Sequence, residues 1–67
     1  MKYVIQCEQE TDGRWITEIT DLPGVLAYGS TKEEAIAKVE ALALRVVAEQ
    51  IELKELIPDL SISFMTL

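Results

Sequence analysis

Apolar and polar positions along the chain follow two different periods. Near the amino terminus, Tyr3, Ile5 and Cys7 alternate with the polar side chains of Lys2, Gln6 and Glu8, and this period of two is typical of a half-buried strand. The same alternation, bounded by turn residues, recurs in three later segments. The sequence therefore predicts four strands, at residues 2–10, 14–20, 25–28 and 61–67. Residues 31–51 contain no Gly or Pro and repeat with the period of a helix, so they predict one long helix.

The predicted helix has a well-marked beginning and two alternative ends. Thr31 followed by Glu34 fits a capping box, in which the hydroxyl accepts from the Glu34 amide and the carboxylate accepts from the cap amide. Residues 52–57 either extend the helix or begin another short turn. Pro58 ends any regular helix near Leu56, because the residue before Pro avoids the helical conformation.

Two apolar stripes run along this helix rather than one. The wider stripe has the bulk expected to pack on a sheet: Ala35, Ile36, Val39, Leu42, Ala43, Val46 and Val47. The second stripe consists mainly of small side chains, and we interpret it as a candidate oligomer interface: Ala37, Ala41, Leu44, Ala48 and Ile51. The alternative is a solvated face in which Ala serves only as a good helix former.

Asp12 and Gly13 predict a hairpin turn between the first two strands, and the register of this hairpin decides which residues face the core. A two-residue loop would bring a largely polar set to the face of Tyr3: Ile16, Glu18 and Thr20. A three-residue loop with Gly13 left-handed brings a more apolar set there: Trp15, Thr17 and Ile19. We predict the three-residue loop, which leaves the other face with Val4, Gln6, Glu8, Ile16, Glu18 and Thr20.

The remaining turns complete the predicted topology. Pro23 and Gly24 fit the central positions of a type II turn, and Gly29 lets the chain turn into the helix. The chain then reads as one α+β domain, residues 1–67, in the order β-β-β-α-β. Three strands form an antiparallel meander under the helix, and the last runs parallel beside the first after a right-handed crossover. The other sheet face is predicted to dock a partner through Glu8, Ile16 and Glu18.

Composition narrows the classes of partner. The net charge of −6 and the pI near 4.4 argue against binding a phosphate backbone, which needs clustered Lys and Arg. Such a charge suits a basic protein partner, although it also serves solubility alone. With one Cys and no His, neither a disulfide framework nor a His/Cys zinc site forms within the chain. A core this small is often supplemented by oligomerisation, so we expect a dimer or a higher homo-oligomer.

No group of residues predicts catalysis. The chain has no His to activate Cys7, which we expect to pack as a small hydrophobic side chain. The candidate metal ligands are two turn carboxylates and two solvent-facing strand carboxylates: Asp12, Asp21, Glu8 and Glu18. The two Asp side chains already have roles in turns, and the two Glu side chains face solvent. We therefore expect no catalytic, cofactor or metal site, and a protein that is not an enzyme.

The amino-terminal sequence and the single Cys bear on the cellular compartment in which the protein is expected. Charged residues follow Met1 too closely for the apolar core of a secretion signal. No apolar run approaches the roughly 20 residues needed to span a bilayer. A free Cys fits a reducing environment, so we expect a cytoplasmic protein with no membrane association.

Taken together, the turn and cap residues resemble the HicB-like antitoxin family over about the first two-thirds of the chain. The most specific feature is DLPG followed after five residues by STKEEA. The sequence departs from the family pattern before Asp21, where Ile19 and Thr20 replace an aromatic residue and Pro. The matching positions are Tyr3, Asp12, Gly13, Trp15, Glu18, Asp21, Leu22, Pro23, Gly24, Gly29, Thr31, Glu33, Glu34 and Ala35.

The resemblance implies a partial ribonuclease-H-like fold without nuclease activity. It implies an antitoxin of a type II toxin–antitoxin system, which binds a small basic HicA-type toxin and covers its RNA-cleaving surface. Members of the family commonly self-associate. Full antitoxins usually add a carboxyl-terminal DNA-binding segment that these residues do not contain, so we expect no direct nucleic-acid binding. The alternative is an orphan homo-oligomeric protein-interaction module of the same fold with no toxin partner.

Overall fold

The computed structural model describes residues 1–53 and 61–67 and confirms the predicted α+β class and element order. The second, third and fourth strands begin later than predicted, at Trp15, Leu26 and Ser63, and the second ends earlier than predicted, at Glu18. Both alternatives for the chain after Leu53, a longer helix or another short turn, lie outside the described residues, as does the predicted stop at Pro58. The elements are β1 (Lys2–Gln9), β2 (Trp15–Glu18), β3 (Leu26–Gly29), α1 (Lys32–Glu52) and β4 (Ser63–Thr66).

The sheet has the strand order β3-β2-β1-β4. Strands β1, β2 and β3 form the predicted antiparallel meander, and β4 pairs with β1 in parallel, with Phe64 opposite Tyr3. Backbone bonds extend this last pairing at both ends. The Ser63 amide donates to the Met1 carbonyl, and the Leu67 amide donates to the Ile5 carbonyl, each at 2.9 Å.

The β1–β2 hairpin has the predicted three-residue loop. Its last backbone pair joins the Glu10 amide to the Arg14 carbonyl at 2.7 Å, and Gly13 donates to the Glu10 carbonyl at 3.0 Å. Gly13 has a φ of +93°, the left-handed conformation that this loop requires. Cys7 therefore lies opposite Thr17, and one sheet face collects the apolar side chains.

The next turn and the helix cap hold the ends of β3. The Val25 amide donates to the Leu22 carbonyl at 3.0 Å, and Gly24 has a φ of +80°, as the predicted type II turn requires. The Thr31 hydroxyl accepts from the Glu34 amide at 3.1 Å, as predicted. The second half of the predicted capping box was wrong. The Glu34 carboxylate accepts instead from the Ser30 hydroxyl and the Lys38 amine, each at 2.9 Å.

The core lies between α1 and one face of the sheet. The helix contributes to this core every fourth residue of the wider predicted stripe, from Ala35 to Val47. The other residues of that stripe are half-buried and pack against the core. Trp15 is only half-buried, because it lies at the end of the sheet opposite Gln9. The buried hydrophobic residues are Tyr3, Ile5, Ile19, Leu22, Val25, Ala35, Val39, Ala43 and Val47.

Two close contacts fix the helix over β2 and β3. The hydroxyl of Thr17, which is fully buried, donates to the Ala35 carbonyl at 2.8 Å. Gly29 lies so near the first turn of the helix that a Cβ atom there would stand 2.5 Å from the Ala35 nitrogen. A side chain at this position would therefore push the helix away from the sheet.

We expect Gly29→Ala to lower the free energy of unfolding by about 2–3 kcal/mol, because the new methyl group overpacks against backbone that cannot rotate away. Urea denaturation measures the change. Gly13→Asn is the matched control. Its position is open and left-handed, a conformation that Asn adopts, so it should cost less than about 1 kcal/mol. Equal losses for the two variants would contradict the close-approach argument.

Candidate functional site

The sheet face opposite α1 is left without a covering element among the described residues. We call it the open face. Strand alternation and pairing place on it Lys2, Val4, Gln6, Glu8, Ile16, Glu18, Leu26, Tyr28, Ser63 and Met65. The three residues predicted to contact a partner, Glu8, Ile16 and Glu18, are thus neighbours on one face.

Large apolar side chains are exposed on the open face. Leu26 is 40% exposed and Tyr28 is 41% exposed on β3, while Met65 is 41% exposed on β4. Ile16 lies opposite Tyr28 and is half-buried between these groups. Apolar surface rimmed by polar residues is a feature of protein interaction sites, so the face has the composition of a docking surface.

A cavity of about 170 Å³ opens between β1 and β2. Pairing sets Gln6 opposite Glu18 and Glu8 opposite Ile16, so the two carboxylates stand at diagonal corners. Cys7 also lines the cavity, and its half-buried side chain packs against the core cluster as predicted. Glu8 and Glu18 are both exposed.

No cation of the described residues pairs with these two carboxylates. The ion pairs of the described residues lie elsewhere: Arg14 pairs with Asp12 at 2.8 Å, and Lys38 pairs with Glu34 at 2.9 Å. The acidic character of the cavity is therefore not neutralised by the described part of the chain.

Arg14 lies beside the open face but is held at its edge. Its guanidinium lies 4.8 Å from the centre of the Tyr28 ring and bonds the Asp12 carboxylate. The Arg14 backbone amide also donates to Asp12, at 3.0 Å. This amide bond first, and the guanidinium second, hold the pKa of Asp12 below its ordinary value of 3.8. The loop that ends the hairpin is thus tied to the aromatic ring on β3.

The back of α1 is a second exposed surface. Four residues of the predicted oligomer interface are exposed there, and Leu44 is the largest of them at 48% exposure. The fifth, Ile51, is half-buried and packs against the core cluster. The exposed stripe is therefore Ala37, Ala41, Leu44 and Ala48.

Residues 1–53 and 61–67 contain no group of three or more His, Cys, Asp or Glu side chains placed to hold a metal ion. Within the same ranges, no helix has the length and apolar character needed to cross a bilayer.

Comparisons with known proteins leave the family open: no family model matches the sequence, and searches of curated proteins and solved structures found no match. The HicB-like resemblance stays a prediction based on the sequence motifs.

Sequence reasoning missed three exposed apolar residues of the open face, Leu26, Tyr28 and Met65. The signal for the first two was present. Once Ile16 and Glu18 are assigned to this face, antiparallel pairing through the turn at Pro23 brings Leu26 opposite Glu18 and Tyr28 opposite Ile16. The face on which Met65 lies depends on its parallel pairing with Val4, and no turn in the sequence determines that register.

We expect a nuclear magnetic resonance titration to give Asp12 a pKa below 3.8, and Arg14→Gln to raise it without restoring 3.8, because the residue 14 amide still donates. The depressed pKa means that this carboxylate stabilises the fold above its ordinary titration range, and that the contribution is lost as the pH falls through the folded-state pKa. Glu34 is the internal control. Its pKa is lowered mainly by Lys38 and then by Ser30, so Arg14→Gln should leave it unchanged. An unaltered Asp12 pKa in the variant would contradict the contact.

Proposed function

We propose that this protein is an antitoxin of a type II toxin–antitoxin system that binds a small basic HicA-type toxin and blocks its cleavage of RNA. The HicB-like pattern of turn and cap residues supports the class of partner. The α+β fold of β-β-β-α-β order is the one that the resemblance implies. A cytoplasmic location belongs to the same proposal.

The composition of the open face is the observation that carries the proposal. Exposed Leu26, Tyr28 and Met65 offer apolar area, and Glu8 and Glu18 stand between them without a cation from the described residues. A protein with basic residues around an apolar centre complements both features. Opposite charge also speeds the encounter between the two proteins, and the chain carries a net charge of −6.

Catalysis by this chain is no part of the proposal. Neutralisation needs only that the docked antitoxin exclude RNA from the toxin surface, so burial of that surface suffices. Interfaces of stable complexes bury about 800 Å² on each partner. We therefore assign binding to the whole open face and not to the cavity alone.

We expect Glu8→Lys combined with Glu18→Lys to weaken toxin binding at least about tenfold while the domain stays folded, because reversed charges repel a basic partner and both positions are exposed. Affinity capture from the native cell extract, with bound proteins identified by mass, supplies the partner. Calorimetry then measures its affinity, and an RNA-cleavage assay with and without this protein measures neutralisation.

The matched control combines Glu49→Lys with Glu52→Lys, which changes the net charge equally on the exposed carboxyl-terminal part of α1. This control should bind the toxin as the wild type does. Equal weakening by both double variants would show that the net charge of the protein, and not the open face, determines the affinity for the toxin. A captured partner that does not cleave RNA, or recovery of the bait alone, would overturn the antitoxin assignment.

The second candidate function is an orphan homo-oligomeric interaction module of the same fold. Leu44, 48% exposed in the centre of a stripe of Ala residues on the back of α1, favours it. Small side chains let two helices approach closely, and a large apolar residue in the centre supplies buried area. A dimer or higher oligomer formed in this way needs no toxin.

We expect Leu44→Glu to lower the oligomeric state, because it places a carboxylate in the apolar centre of the proposed contact. Light scattering coupled to size-exclusion chromatography measures the mass. Glu40→Gln, a change on the half-buried flank of the stripe, is the control and should keep the wild-type mass. A Leu44→Glu protein of unchanged mass would show that the stripe is simply solvated.

A further inference from the structure

We infer that the cavity between Glu8 and Glu18 receives one arginine side chain of the basic partner. This inference rests on the proposed function, since it names the group by which the partner would be recognised. It adds a specific pocket, a ligand chemistry and a preference for arginine over lysine.

The pairing of β1 with β2 gives the pocket its shape. Gln6 faces Glu18 and Glu8 faces Ile16 across the two strands. Diagonal neighbours in such a pair are about 7–8 Å apart. A group between them can therefore meet one carboxylate on each side, while Ile16 and Gln6 occupy the other two corners. The pocket combines two charges with an apolar wall and an amide, and is not a row of acids alone.

The volume suits one planar cationic group. An engineered apolar cavity of about 150 Å³ in another protein holds a benzene molecule. The cavity here is about 170 Å³ and opens to solvent on the exposed sheet face, which gives room for the guanidinium and leaves an entrance for the aliphatic stem. Apolar Leu26, opposite Glu18 on β3, lies beside this entrance.

Guanidinium chemistry matches the pocket better than an ammonium group does. A guanidinium carries five donors in a flat fork and is more weakly hydrated than an ammonium. It can thus donate to both carboxylates while its face lies against Ile16. The ammonium group of lysine is a strongly hydrated point charge and loses more on leaving water.

The nearest arginine of the chain itself does not occupy the pocket. Arg14 bonds the Asp12 carboxylate at 2.8 Å, and its guanidinium lies over the Tyr28 ring. A partner arginine therefore displaces no ion pair of the described residues when it enters. Its charge complements a protein whose net charge is −6.

The test uses the full isotope-labelled chain and three blocked tripeptides, Gly-X-Gly, in which X is arginine, lysine or citrulline. Citrulline keeps the shape of arginine and lacks its charge. We expect the arginine peptide to give saturable chemical-shift changes centred on Glu8, Ile16 and Glu18. Lysine should bind several-fold more weakly, and citrulline should not saturate.

Glu8→Gln combined with Glu18→Gln should weaken arginine binding at least about tenfold, because the amides keep the shape of the pocket but remove both charges that pair with the guanidinium. The control, Glu49→Gln with Glu52→Gln, should not change it. Three results would overturn the pocket: equal binding of lysine, saturable binding of citrulline, or shifts spread evenly over the acidic surface. Absence of saturation with the arginine peptide would overturn it as well.

The same variants separate this inference from the proposed function. If a toxin is captured and is neutralised equally well by Glu8→Gln/Glu18→Gln, the antitoxin assignment stands and the arginine pocket is wrong. If the arginine peptide binds as expected but no RNA-cleaving partner is captured, the pocket stands and the antitoxin assignment is wrong.

Discussion

The left-handed conformation of Gly13 is the constraint on which both faces of the sheet depend. It closes a three-residue loop and so sets Cys7 opposite Thr17. Because side chains alternate along a strand, a slip of one residue would exchange the faces of β2 against β1. Glu18 would then lie under the helix and Ile19 would face solvent. The core and the open face are thus two results of one loop geometry.

One helix over one face leaves the chain with an unavoidable second surface. α1 covers the core side of the sheet, and among the described residues nothing covers the other side. Strands favour β-branched and aromatic residues on both faces, so Ile16 and Tyr28 remain there with part of their area exposed. The contact of Arg14 with the Tyr28 ring offsets some of that exposure. The remaining apolar area is what a partner of the proposed kind would cover.

Local signals predicted most of this fold, and the errors lie where tertiary geometry decides. Gly13, Gly24 and Thr31 each have one local role, and the structure confirms all three. Ile51 was assigned to the outer helix stripe by regular spacing, but it packs on the core. The buried positions recur every fourth residue from Ala35 to Val47. This spacing drifts round the helix, so the next position of the series is Ile51.

The two exposed surfaces lie on opposite sides of the domain. The stripe around Leu44 is on the back of α1, whereas Glu8 and Glu18 point away from the helix on the open face. Self-association through the stripe would therefore leave the open face of each copy accessible. Several open faces on one assembly would raise the effective concentration for a multivalent partner. The proposed homo-oligomer and the proposed toxin complex therefore use separate surfaces, and each surface can be altered without touching the other.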